Sequence, residues 1–438
     1  MSSFIIGIYG VLAFLIMLMI KVPIAMAMAI VGIVGFSIVV TPQAALRVMS
    51  ADIYSIFASY SLSVIPMFIL MGFLAYQSGI GSKLYEFAYR LFGRMSGGLA
   101  MSSQVACAIF GAVCGSSTAT AATIGSIAIP EMRKYNYADS LSAASVAAGG
   151  ALGILIPPST IFVIYGIATE QSITRLFLAG FFPGILLTIL YILTIWLITL
   201  RNPEMGRPSV EPMPTVREIV DILRGGLLQI IIVFLISIGG LFIGWFTPTE
   251  AGAVGVAGIL VITLISGQMN WEKLNNALAE TTRTSAMILF LVAGAVIFTR
   301  FMAVSRLPFE ISSWVSELPF PPYLVLIIIL LIYFILGTFI EMIPLILLTI
   351  PMFYPVVVDV LGYDPIWFGV IIVMVVAIGV ITPPVGINVY VVKGVSKDIP
   401  LEVIFRGVWP FIFAACVGIF LLIVFPQIAT FLPNLMMN

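Results

Sequence analysis

Two paired-proline stretches constrain this chain more than any other feature. "GILIPPS" begins at Gly153 and "GVITPPV" begins at Gly379, each inside a long apolar run. Proline has no backbone donor and its ring clashes with the preceding turn, so neither run continues as one helix through its pair. Water would normally solvate the groups set free. Here 61% of 438 residues are hydrophobic and 9% are charged, and apolar runs long enough to span a bilayer recur along the whole length. The chain reads as an all-α polytopic membrane protein. In hydrocarbon, irregular backbone survives only where it is buried in protein or lines a cavity. The two breaks must therefore be built into something.

Composition removes several function classes. There are 19 basic and 19 acidic residues, so nothing in the balance calls for a nucleic-acid partner. No histidine is present, which excludes a Ser-His-Asp triad and imidazole metal sites. Cys107, Cys114 and Cys416 lie in apolar segments and read as small core hydrophobes. No Walker A sequence occurs, so no ATPase is expected, and no catalytic pair stands at helical spacing. The N-terminal "MSSFIIGIYGVLAFLIMLMIKVP" has no basic leader or small-residue cleavage site and reads as a first membrane helix.

The breaks are two copies of one thing. Gly153 and Gly379 are separated by 226 residues (379 − 153), and the same shift relates Gly111 to Gly337 and Pro157 to Pro383. "GFFP" at Gly180 meets "GVWP" at Gly407 after one inserted residue. The apolar spans at roughly 4–20, 24–40 and 56–76 return near 230–246, 250–266 and 282–302. We therefore divide the chain into a first repeat over 1–200, a polar linker over 201–225 and a second repeat over 226–438.

Loop charges orient the repeats. Lys83, Arg90, Arg94, Arg133 and Lys134 mark basic loops in the first, while the matching loops of the second carry Glu310, Glu317, Asp359 and Asp364 beside Arg306. The loop after the first break holds Glu170 and Arg175; its counterpart holds Lys393, Lys397 and Arg406. Lysine and arginine gather on the cytoplasmic side, so the reversal predicts inverted topology. Residues 97–130 lie between two basic loops and are too short to cross twice. They are expected to form a re-entrant hairpin turning near Cys114–Thr120. Residues 323–355 are expected to do the same from outside, turning near Gly337–Pro344. Five crossings plus one hairpin per repeat place both termini outside and the linker inside. Ser82–Arg94 and Arg306–Glu317 read as amphipathic arms leading into the hairpins, and Thr247 or Thr249 as the cap of a helix whose first turn carries Glu250.

A broken helix offers free carbonyls before the break and free N–H groups after it. Carbonyls suit Na⁺, and helix N-termini suit a carboxylate. One cation site is expected from Gly153, Ile156 and Pro158 with Ser116, Ser117 and Thr118. A second is expected from Gly379, Thr382 and Pro384 with Gly337. Ser159 and Asn388, just past each break, are placed to touch a substrate. Two ionisable residues at membrane depth are functional candidates. Arg300 in "GAVIFTRFM" is suited to a bidentate grip on a carboxylate. Glu341 in "GTFIEMIP" can pair with Arg300, hold a cation or take a proton.

Taken together, the paired hairpins and breaks, "GSSTATAATIGSIAIPEM", "FTPTEAGAVG" and "GTFIEMIPLILLTIPMFYP" resemble the large membrane subunit of tripartite ATP-independent periplasmic (TRAP) transporters over essentially the whole chain. The resemblance implies a sodium-driven importer of organic acids in a bacterial or archaeal inner membrane, working as an elevator on a static scaffold. It implies two partners, a small four-helix membrane subunit on a separate polypeptide and a periplasmic substrate-binding protein. It puts the first sodium site on Ser116, Thr118, Gly153, Ile156 and Pro158, the second on Gly379 and Thr382, the substrate arginine on Arg300 and the hairpin acid on Glu341, with no cofactor besides Na⁺. The competing readings are a self-sufficient sodium/anion symporter of the divalent-anion type and an ion channel.

Overall fold

A computed structural model describes residues 2–208 and 228–436. These residues form helices and turns, with no strand among them. Residues 209–225 of the expected linker lie outside the described part. The stretch before them docks back on the protein: Gly97 N–H donates to Gly206 O (2.9 Å) and Ala138 N–H to Met205 O (3.0 Å).

The first half runs α1 (Ser3–Met19), α2 (Ile24–Val39), α3 (Pro42–Phe57), α4 (Val64–Gln77) and α5 (Ile80–Phe92). An antiparallel pair follows, α6 (Gly98–Cys114) and α7 (Ser117–Lys134). Then come α8 (Asp139–Leu155), α9 (Thr160–Thr169) and the long α10 (Ile173–Arg201). The second half runs α11 (Leu228–Phe234, continued by a π turn), α12 (Pro248–Ile265), α13 (Trp271–Ser305) and α14 (Leu307–Glu317). A second pair, α15 (Pro322–Gly337) and α16 (Met342–Tyr354), precedes α17 (Pro365–Gly379), α18 (Ile387–Val395), α19 (Leu401–Val424) and α20 (Gln427–Met436). From the pairs through α10 and α19, elements recur at close to the 226-residue shift.

Both hairpins fall where the sequence places them, turning at Gly115–Ser116 and at residues 338–341. Both arms form, as α5 and α14. Each proline pair ends one helix and starts another: α8 gives way to α9 across a 41° bend, and α17 to α18. The Pro157–Pro158 and Pro383–Pro384 peptides are both cis. Thr247 caps α12, accepting from Glu250 N–H (3.3 Å), while Glu250 Oε2 accepts from Thr247 N–H (2.8 Å).

Among the described residues, six helices are long and apolar enough to cross a membrane, seven if α8 and α9 count as one span. The other expected crossings fall on shorter apolar helices, among them α1, α2 and α17. Their 15–17 residues lie at or below the lower end of what spans hydrocarbon.

Two features depart from expectation. The first half has an extra helix, α3. The shifted position in the second half is occupied by the start of α13, a single helix of 35 residues, about 52 Å long. In the first half the sequence "ASYSLS" interrupts it. There Ser63 Oγ donates to Tyr60 O (2.5 Å), a local bond that competes with a continuous helix. Cys107 and Cys114 are buried as expected, but Cys416 is exposed, because it sits on the outward face of α19.

Small residues set the tightest contacts, as in membrane packing generally. The aromatic ring of Phe301 on α13 is received by Gly10 of α1 and Gly35 of α2; a Cβ at either would stand within 2.4 Å of it. At each hairpin the contact is backbone against backbone. A Cβ at Gly111 would lie 2.5 Å from Gly153 Cα, and one at Gly379 would lie 2.5 Å from Gly337 O. These are the same two positions, 226 residues apart. We predict that Gly111→Val or Gly379→Val destabilises the protein by about 1–3 kcal/mol through overpacking, while Gly394→Ala, with open space around it, is neutral. Thermal unfolding in detergent checks this; equal midpoints for all three would refute the contact.

Candidate functional site

The hairpin tips and both half-helices meet at one cavity of about 560 Å³. Gly115–Ala119 line it from the first tip, Glu341–Ile343 from the second, Thr160 and Ile161 from α9, and Ile387 and Val391 from α18. Opposite stand Ile69, Phe73 and Tyr76 of α4 and Glu280, Thr284, Met287 and Ile288 of α13. The starts of α7, α9, α16 and α18 (Ser117, Thr160, Met342, Ile387) therefore all reach this space. Four helix N-termini bring positive dipole ends to one cavity. Among the described residues that line it there is no Lys or Arg.

The first break and first tip are locked together. Gly115 adopts φ +62°, and a Cβ there would lie 2.8 Å from Pro158 O. Thr160 Oγ1 donates to Gly115 O (3.2 Å). Ser116 Oγ and Thr118 Oγ1 are 3.3 Å apart, and a Cβ at Gly153 would meet Ser116 O at 2.9 Å. The structure thus brings Ser116, Thr118, Gly153 and Pro158 together. Ile156 stands at the break, its side chain packed on Gly184 of α10. Ser117 turns the other way and donates to Asn388 Oδ1 (2.7 Å). In the second half Gly337 and Gly379 touch, and Thr382 Oγ1 donates to Ile378 O (2.7 Å). Pro384, beyond them, is exposed.

Four substrate-side expectations divide. Glu341 opens into the cavity and makes no ion pair among the described residues. Ser159 does not line the cavity: it caps α9, its hydroxyl donating to Ile154 O (2.5 Å) and accepting from Phe162 N–H (3.4 Å). Asn388 is fully buried, with both amide atoms bonded to protein. Arg300 does not meet Glu341. Met287 and Arg300 are 13 residues apart on α13, about 20 Å along the axis, and Arg300 pairs bidentately with Asp52 of α3 (Nε–Oδ2 2.9 Å, Nη2–Oδ1 3.1 Å). Sequence reading missed Asp52, Glu280 and Thr284. Asp52 and Glu280 were visible as acids within helical segments, but nothing nearby in sequence named their partners.

Helical hairpins and broken helices converge on one cavity, and the comparisons with known proteins give the class of this architecture as a membrane transport subunit. It belongs to the family described as "Tripartite ATP-independent periplasmic transporter, DctM component", matched over residues 11–428. It is 35% identical to the C4-dicarboxylate TRAP transporter large permease protein DctM of Pseudomonas aeruginosa, over 89% of this chain and 90% of that one. It is 33% identical to the sialic acid TRAP transporter large permease protein SiaM of Vibrio cholerae, over 87% and 88%. Among solved structures, the YdaH transporter of Alcanivorax borkumensis shares the fold at TM-score 0.65 and 16% identity, over 88% of this chain and 90% of that one.

Asp52 is 8% exposed, so losing its partner strands a carboxylate. We predict that Arg300→Ala costs about 1–3 kcal/mol and that Asp52→Asn in the same chain recovers part of it. Unfolding midpoints of the single and double variants measure this; a double variant less stable than Arg300→Ala would contradict the pairing.

Proposed function

We propose that this chain is the large subunit of a sodium-coupled importer of organic acids, with the hairpins and half-helices moving as an elevator against α1, α2, α4, α12 and α13. The observation that carries the reading is the convergence of four helix N-termini on a cavity with no basic side chain among its described lining residues. An acid arriving there meets N–H dipoles rather than an arginine. It also meets Glu280 and Glu341, which repel it. Cations on the hydroxyls and carbonyls of Ser116, Thr118, Gly153 and Pro158, and around Gly337, Gly379 and Thr382, offset that repulsion. Sodium loading thus becomes a condition for anion binding.

The reversed loop charges support inverted repeats in an inner membrane, with both termini periplasmic and the linker cytoplasmic. The family's name supports delivery by a periplasmic binding protein. The isethionate TRAP transporter permease protein DctMQ of Oleidesulfovibrio alaskensis is 31% identical over 88% of this chain, yet the match covers 60% of that protein; a component beyond this chain supports a small membrane subunit. The acids printed in the relatives' names range from C4-dicarboxylates to sialic acid, which suits a cavity that reads the acidic group and leaves selection to the binding protein.

Uptake in proteoliposomes, with the small subunit and binding protein supplied, is expected to follow an inward Na⁺ gradient. Equal uptake without sodium under a proton gradient would remove sodium coupling, and equal uptake without the binding protein would favour a self-sufficient symporter. Glu341→Gln is expected to raise the sodium concentration for half-maximal uptake about tenfold by removing a nearby negative charge; an unchanged value would take Glu341 out of the cation field.

A further inference from the structure

One side chain joins the second break to the first hairpin. Asn388 stands in the first turn of α18, 0% exposed. Its backbone N–H donates to Val380 O (3.0 Å), closing the second break. Its Nδ2 donates to Ala147 O of α8 (3.0 Å), and its Oδ1 accepts from Ser117 Oγ (2.7 Å), the first residue of α7. Ser117 is 1% exposed and lies between Ser116 and Thr118, the tip hydroxyls on the cavity. Space for the amide depends on Gly150, where a Cβ would stand 2.8 Å from Asn388 Nδ2 and 2.9 Å from Ser117 O. The chemistry suits an amide alone among residues of this size. Aspartate would lose the donor to Ala147, and leucine would leave buried polar groups on both elements unpaired.

The same half-helix is tied down at its other end. Past α18, Asp398 pairs with Arg133 at the end of α7, and Arg133 also holds Asp139 at the start of α8 (2.8 Å). Arg133 holds the Asp398 carboxyl below the usual carboxylate range. So α18, from the second half, is fastened to α7 and α8, from the first, at two depths.

The reverse link differs in depth: α9 and the turn after it are tied to the second half away from its tip, where Tyr165 Oη donates to Pro365 O (2.6 Å) and Gln171 Nε2 to Tyr354 Oη (3.2 Å). The residue 226 positions before Asn388 is Phe162, which packs on Gly180 of α10. The residue 226 positions after Ser117 is Ile343. The second hairpin tip has no such amide. We infer that Asn388 is a positioning residue that transmits the state of the second break to the first hairpin tip, so that a cation at one is felt at the other, while the second tip stays independent. The cation part of this rests on the sodium-coupled reading above.

Hydrogen–deuterium exchange on the purified full-length chain, in sodium and in choline buffers, tests it. In choline, Asn388→Ala and Ser117→Ala are each expected to speed exchange across 115–120 about five- to tenfold, the loss of one net hydrogen bond. The double variant should do no more than either single one, and exchange at 338–342 should not change. In the unsubstituted chain, sodium should slow 115–120 and 379–388 with one midpoint; in Asn388→Ala the midpoint at 115–120 should rise away from that at 379–388. Unchanged exchange at 115–120 in the variants, equal loosening of both tips, or a shared sodium midpoint in Asn388→Ala would overturn the link. If sodium slows nothing in the unsubstituted chain while the variants still loosen only the first tip, the tie stands and the sodium-coupled reading fails. Should Asn388→Ala not fold, Ser117→Ala removes the same bond from the other side and carries the test.

Discussion

A peptide group cut out of its helix at membrane depth must be met by protein, and this requirement organises the molecule. The structure shows who meets it. Ile154 O accepts from the Ser159 hydroxyl, Gly115 O from Thr160, Ile378 O from Thr382 and Val380 O from the Asn388 amide. Each break is therefore stitched by hydroxyl or backbone N–H donors within it or just past it, and past the first break the Thr160 hydroxyl also reaches the carbonyl of the facing tip. Hairpins exist because the breaks need neighbours that end at the same depth, and the neighbours reach that depth because glycine meets glycine. The four helix N-termini, with side chains of α4 and α13, line the cavity.

Much of this was legible in sequence because it is written in local chemistry. Paired prolines break helices wherever they stand, and a repeat shift of 226 residues turns one ambiguous break into a matched pair. Hairpin tips at Gly115 and near Glu341, the two arms and the Thr247 cap follow from the same local signals. Long-range partnership was not legible. Arg300 looked free for a substrate because its partner Asp52 lies 248 residues away in sequence. Asn388 looked like a substrate contact for the same reason, its donor partner Ser117 being 271 residues distant. Glu280 faces the cavity only because α13 runs unbroken past it, and periodicity alone does not say which flank of a long helix meets a void.

The two halves are alike where breaks and tips meet and unlike elsewhere. The first half divides into α3 and α4 what the second fuses into α13. The single long helix gives α2 and α4 a rigid rail along which glycine and alanine seat close contacts. The polar clamp at Asn388 likewise exists once. Pseudo-symmetry therefore supplies two similar half-sites, and the departures from it assign them different neighbours.

The length of α13 has a consequence for the transport cycle. With the orientation proposed from the loop charges, Arg300 stands near the outer end of this helix, and Glu280 and Thr284 stand toward its inner end. The cavity they line then faces the cytoplasm. On the importer reading proposed above, a substrate delivered from outside needs the outward arrangement, so its apparent affinity is the intrinsic one reduced by the fraction of molecules facing outward. Anything that binds the outward arrangement preferentially, the docked binding protein included, would raise that fraction and act as an activator without touching the cavity.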